Sequence, residues 1–434
     1  MRRAEARKAS QTAARAHLDV ADLPQGGKWL SDARKSALAR LYDMGLPTRR
    51  DEYWRFTRPD PLLAPEATPA DLLAPEENPP FSGIERLKIV FVDGVFDPAA
   101  SDDLEDQNLE ILPLAEAGAS DIHWAQDLYG ALEAAGHDPV KRPLAALNTA
   151  AAPEGMLIRV SGRVTRPLSL CYLRDGRDAD AMIHHAIRLE AGADLTLLEN
   201  GAGAARLSRV LEVDVGAGAS FHHVRTEGRD HGRRGVSHLF ARVAEAASFK
   251  SFTLTVNGAL LRNEAVIDIL GDNAHVTIAG AAAGDGRDGA FHQDDTVFIT
   301  HDAVNCESRQ VFKKVLRNGA TGVFQGKILV KPDAQKTDGY QIAQALMLDD
   351  DSQFLAKPEL EIYADDVACS HGATVGAIDE EALFYLVSRG VPRRAAEDML
   401  VLAFLADALN EIENAVIRDD LKSRLEGWVE RHGK

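Results

Sequence analysis

Residues 365–376 read DDVACSHGATVG and set a thiol, a hydroxyl and an imidazole side by side at Cys369, Ser370 and His371. A thiolate and a neutral imidazole are suited to iron or zinc. In an extended chain, residues i and i+2 point to the same face, so Cys369 and His371 could share one surface. Two donors cannot close a four-coordinate site. The residues alone leave two readings open. One is half of a metal site completed from elsewhere in the chain, a second protein or an exogenous ligand. The other is a buried cysteine beside a turn histidine. Ser370 and His371 make no catalytic triad, because sequence neighbours rarely present that geometry, and no G-x-S-x-G elbow occurs.

Other chemistry-bearing groups are weaker. HQDDTVFITHDAVNCES, residues 292–308, gathers His292, Asp294, Asp295, His301 and Cys306. No C-x-x-C or H-x-x-x-H spacing fixes them as ligands, so a polar strand edge or interface is the favoured reading. The pairs His184-His185 and His222-His223 lie in strand-like runs, where neighbours face opposite ways. They read as structural or surface histidines. GDGRDG, residues 284–289, matches G-x-G-x-x-G, but a strand pattern follows it where a dinucleotide site needs a helix. It reads as a turn. No complete phosphate-binding P-loop is present, so any use of ATP must come from a partner chain.

The elements that must position these groups fall into three zones. Residues 1–150 read as a mostly helical domain, with helical spacing over residues 28–45 and a Pro/Ala-rich linker near residues 59–80. Residues 151–377 carry short β-rich runs bounded by Gly, Ala, Asn or Asp. A small residue before a strand recurs at Ala193, Ala219, Ala247 and Ala274, with spacings of 26, 28 and 27 residues. That period suits one coil of a parallel β-helix, with room for about three strands of ~5–6 residues per coil. A jelly roll is the runner-up. Residues 378–434 read as helical. Asp379 is an N-cap and Gly390 a stop, and Met399, Leu402, Ala403, Ala406 and Leu409 form a stripe. The stripe either packs on the β domain or docks a partner.

Composition narrows the class. The 434 residues are 45% hydrophobic and 27% charged, as in an ordinary globular protein. A net charge of −18 repels phosphate backbones and argues against nucleic acid as a partner. The apolar runs are too short and interrupted to span a bilayer. The Arg-rich N-terminal residues lack the apolar region of a secretory signal and read as an exposed amphipathic helix, with an organelle transit peptide as the alternative. Three cysteines argue against a disulfide framework and for a reducing, cytoplasmic setting. Aromatic residues, at 6%, offer few stacking platforms for a β-helix enzyme acting on polysaccharide.

Residues 292–348 and 358–392, which include ADDVACSHGATVG, resemble the SufD branch of the SufB/SufD family of iron–sulfur cluster assembly scaffolds. LPTRRDEYWRFT, residues 46–57, and RPLAALNTAAAPEGMLIRV, residues 142–160, extend the resemblance over most of the chain. It implies a mainly β chain: a right-handed parallel β-helix core flanked by N-terminal and C-terminal α-helical domains. It implies a non-catalytic subunit that pairs with SufB through the end of the β-helix. The SufC ATPase would dock on the C-terminal helices, near Leu383, Leu386, Met399 and Leu402. His371 would help hold a nascent iron–sulfur cluster, transient and shared with a cysteine of SufB. Cys369 matches the motif cysteine at the same interface. No cluster would be stably bound by this chain alone, and a homodimer is open to it when isolated. No nucleic acid or membrane is implied.

Overall fold

The computed structural model describes residues 2–72, 79–120, 122–227, 230–287 and 289–432. Its strands run β1 (Leu87–Val92), β2 (Val95–Asp97), β3 (Leu109–Pro113), β4 (Met156–Val160), β5 (Leu168–Leu173) and β6 (Asp180–Leu189). Then come β7 (Asp194–Asn200), β8 (Arg206–Val215), β9 (Ser220–Thr226), β10 (Arg234–Val243), β11 (Ser248–Val256), β12 (Leu260–Ile269) and β13 (His275–Asp285). The last are β14 (His292–His301), β15 (Glu307–Arg317), β16 (Thr321–Val330), β17 (Thr337–Met347), β18 (Gln353–Ile362) and β19 (Val367–Gly376). Helices α1 (Arg2–His17), α2 (Lys28–Met44), α3 (Asp60–Leu63), α4 (Leu114–Gly118), α5 (Ala131–Ala135) and α6 (Pro143–Ala151) lie at the N-terminal side. Helices α7 (Glu380–Ser388), α8 (Arg393–Leu409) and α9 (Ala415–His432) close the chain.

From β4 onward each strand pairs in parallel with the strand two places later. From β5 on, the odd-numbered strands therefore build one sheet, finished by β1 and β2 and ordered β19-β17-β15-β13-β11-β9-β7-β5-β1-β2. The other sheet is ordered β18-β16-β14-β12-β10-β8-β6-β4-β3. The chain is a parallel β-solenoid. Each coil contains two long strands rather than the three expected from the period. A 10-residue strand such as β8 uses the length that two short strands and a corner would need.

The periodic alanines sit where predicted. The residues after them, Asp194, Ser220, Ser248 and His275, are successive register partners in one ladder. Ala193, Ala219, Ala247 and Ala274 are buried, and Cys306, before the next partner Glu307, continues the row. A small side chain is needed there because the chain turns a tight corner into each coil.

Inward rows form an apolar core that includes Phe221, Phe249, Ile267 and Phe312. The outer face of the odd-numbered sheet buries Phe252, Leu254 and Val311 against Val401, Leu405 and Trp428 of the C-terminal helices. The outer face of the other sheet buries Phe240, Val266 and Phe298 with Trp29, Leu128 and Tyr129 of the N-terminal segment. The sheets begin before residue 151, since β1 to β3 already belong to them. Among the described residues no helix is long and apolar enough to cross a membrane.

Candidate functional site

Among the described residues, the solenoid stops without a cap at its C-terminal end. Strands β18 and β19 are the outermost strands of the two sheets. Strand β19 is exposed or half-buried along its whole length, whereas the inner strand β15 is almost wholly buried. In a parallel ladder, successive residues turn their backbone N–H and C=O groups to alternate sides. The Asp338 N–H bonds Cys306 O, so even residues of β17 face β15 and odd ones face β19. The register then turns the even residues of β19 toward β17. The backbone groups of Cys369, His371 and Ala373 therefore point out of the open edge. In β18 the Gln353 N–H bonds Ala320 O, so even residues face outward. Pro358 is one of these, and a proline fits only where no ladder N–H is needed.

The side chains of Cys369 and His371 both turn toward the mouth of the solenoid. Cys369 lies over Gly339, its register partner, where an added Cβ would fall 3.1 Å from the sulfur. It packs at the edge of a small cluster with Ile328, Val330 and Ala334. Burial pushes its thiol pKa up, so the resting group is a protonated thiol, not a nucleophilic thiolate. His371 is exposed and is the register partner of Gln341. The pair supplies two donors at an uncovered edge. Among the described residues no three His, Cys, Asp or Glu side chains come together as a metal group.

The other candidates disperse. His292 meets the Thr57 hydroxyl at 2.9 Å, and Asp294 bonds Thr57 and Arg262 on the outer face. Asp295 turns inward to Lys314 at 2.8 Å. His301 bonds Ser308 at 2.8 Å, and Cys306 takes the corner position. His184 faces outward to Glu212 at 2.8 Å, while His185 faces inward to the Tyr172 hydroxyl at 3.0 Å. His223 bonds Ser251 inside, and His222 carries its ring to the opposite face, where burial lowers its pKa to about 4. The GDGRDG stretch joins β13 to β14 with no helix after it.

The C-terminal helices hold a second exposed surface. Asp379 caps α7 by accepting from the Glu381 and Ala382 N–H groups. Phe384, Tyr385 and Met399 are 74%, 56% and 51% exposed. Leu383 is 1% exposed and anchors the helix from inside, while Leu386 and Leu402 are half-buried. Lys313–Asp407, Arg309–Glu411 and Lys250–Glu413 ion pairs pin the far end of α8 and the turn after it to the odd-numbered sheet. Phe384 and Tyr385 were not singled out by the helical stripe. Of that stripe only Leu409 is buried, while Met399 and Ala403 are exposed, and the face turned to the core is instead that of Val401, Leu405 and Ala408.

The model of the SUF system FeS cluster assembly SufBD core domain matches residues 172–404. The chain is 29% identical to the iron–sulfur cluster assembly protein SufD of Escherichia coli over 89% of this chain and 90% of that protein. It is 27% identical to an iron–sulfur cluster assembly SufBD family protein of Synechocystis, over 91% of this chain and 90% of that one. SufD of Bacillus subtilis is 26% identical over 66% and 67%.

Proposed function

The chain belongs to the SufBD family, and from that premise we propose that it is a non-catalytic scaffold subunit of iron–sulfur cluster assembly, pairing with SufB through its open end and docking SufC on α7 and α8. One observation carries this reading: the last coil leaves a ten-residue strand, β19, with outward backbone groups and His371 uncovered at its centre. Edge strands of that length are templates for another chain unless something covers them. A SufB strand laid on β19 would hide the edge and place its own donors beside His371 and Cys369. Two donors from this chain then become part of a full set. The nascent cluster is the cargo of that shared site. Cys369 would lose its proton only when iron or sulfide chemistry draws it, because burial holds the free thiol protonated.

Phe384, Tyr385 and Met399 offer an aromatic and thioether surface of the kind that anchors protein interfaces. Leu383 holds that surface in place, and half-buried Leu386 and Leu402 border it. ATP hydrolysis would reside in SufC, acting on the solenoid through α8, which packs on β13 and β15. The setting is cytoplasmic. A second copy of this chain takes the SufB position when SufB is absent. Co-expression tests the reading: the chain should bring down SufB and SufC, and His371→Ala should lower cluster yield while the complex still assembles. Normal yield from that variant removes His371 from the mechanism.

A further inference from the structure

Behind His371 runs a file of side chains, one from each coil. His223, Ser251, Ile278, Gln310, Gln341 and His371 are successive register partners along the odd-numbered sheet. Alternate residues of a strand share a face, and Cys369 turns inward over Gly339, so His371 and the file behind it line the lumen. Gln341 is 0% exposed. Its Nε2 donates to Gln310 Oε1 at 2.8 Å, which fixes the plane of its amide. Its Oε1 is buried and has no hydrogen-bond partner. A buried carbonyl left without a donor costs about 1–3 kcal/mol, and the Gln310 Nε2 beside it in the file is likewise without a partner.

The amide is also held by shape. It reaches across the lumen to Gly326 of the facing sheet, where a Cβ would fall 2.2 Å from Nε2. Only a glycine there lets the carboxamide lie flat across the lumen. Gln310 occupies the inner side of the file. On the outer side, one strand spacing away (about 4.8 Å), stands His371. A carbonyl oxygen only accepts, and a neutral imidazole carries one N–H and one lone pair. The Gln341 oxygen is thus matched to one ring nitrogen and leaves the other for a ligand.

We propose that Gln341 is a positioning residue for His371: its Oε1 accepts the Nδ1–H of the imidazole, and the Nε2 lone pair is thereby aimed out of the open end toward iron. This rests on His371 being the cluster-facing group. The same arrangement orients ligating histidines elsewhere, where a second acceptor fixes the tautomer. The nitrogen farther from the backbone is the one that reaches past the strand edge, so Nε2 is the one left free.

The test is the tautomer of His371 in the isolated, ¹⁵N-labelled chain at pH 8, its signals assigned by their loss in His371→Ala. The Nδ1–H form should dominate in the wild type. Gln341→Met, which keeps the bulk and removes the acceptor, should shift it to the Nε2–H form that free imidazole side chains prefer in water. Gln341→Glu keeps an acceptor and should hold the Nδ1–H form. A wild-type spectrum showing Nε2–H overturns the proposal without any variant, and so does an unchanged spectrum in Gln341→Met. With SufB and SufC present, Gln341→Met should weaken iron loading about 10-fold or more, with Gln341→Glu recovering part of it. A tautomer shift with unchanged loading would uphold the contact and overturn the cluster role of His371.

Discussion

The two ends of the solenoid are finished in opposite ways. At the first end the chain reverses: β2 lies antiparallel on β1, and β3 antiparallel on β4. These strands have 3 and 5 residues, and behind them Ile89, Phe91 and Ile158 are fully buried. Short, reversed edge strands do not template another coil. At the last end β18 and β19 each run for 10 residues in the direction of the stack, with no element over their outer edges among the described residues. The difference separates stability from recognition. Apolar burial belongs to the closed end and the body, and the open end leaves β19 exposed, as the proposed pairing requires.

The largest expected effect follows from the closed end. Phe91→Ala should lower the unfolding free energy by about 3–5 kcal/mol, read from a chemical denaturation curve. Phe384→Ala removes an equally large ring from an exposed site and should change it by less than about 0.5 kcal/mol. Similar losses from both would erase the contrast.

Acid should act on the body next. Burial lowers the pKa of His185, His238 and His301 to about 4 each, and in the unfolded chain they return to about 6.5. Above pH 6.5 both states are neutral at these rings, so they add no pH dependence. Between about 6.5 and 4 the unfolded chain binds protons that the folded chain refuses, so stability falls as pH falls. Glu264, whose burial would raise its pKa, is instead held down at about 2 by Arg262, His238 and Arg142, and this extends the loss below pH 4.5. The urea midpoint should drop steadily from pH 7 to pH 4.5, and His301→Gln should flatten that fall.

Recognition should fail without loss of fold at the other extreme. Phe384→Ala should weaken SufC binding by about 2 kcal/mol, the size of an interface anchor, in a titration followed by calorimetry. His371→Ala should leave the denaturation midpoint within about 0.5 kcal/mol of wild type while cluster yield falls.

Much of this architecture was legible in the chain. The recurring Ala193, Ala219, Ala247 and Ala274 announced the coil because each corner needs a small buried residue. The number of strands per coil was not legible. Polar residues such as His223, Asp295 and Lys314 turn inward and break the alternation that marks one long strand. Cys369 and His371 could be picked out by type and spacing. That they lie at an edge depends on the missing next coil, which no local pattern encodes. Gln341 carries no motif and meets His371 only through a register set 30 residues apart. Leu383 and Phe384 are adjacent in sequence, yet one is core and the other surface. The stripe read over Met399, Leu402, Ala403, Ala406 and Leu409 misses the buried face, which is that of Val401, Leu405 and Ala408, because small and apolar residues occur all round α8.

The central claim is that β19 is an edge built to be paired. Ala373→Pro tests it most directly, because the Ala373 N–H points out of the ladder, as the Pro358 nitrogen already does in β18. The substitution removes an outward donor and spares the bonds to β17. Binding to SufB, measured by titration, should weaken about tenfold or more, one lost interchain hydrogen bond plus the steric block of the ring, while the melting temperature of the isolated chain stays near wild type. Wild-type affinity in this variant would contradict pairing through β19.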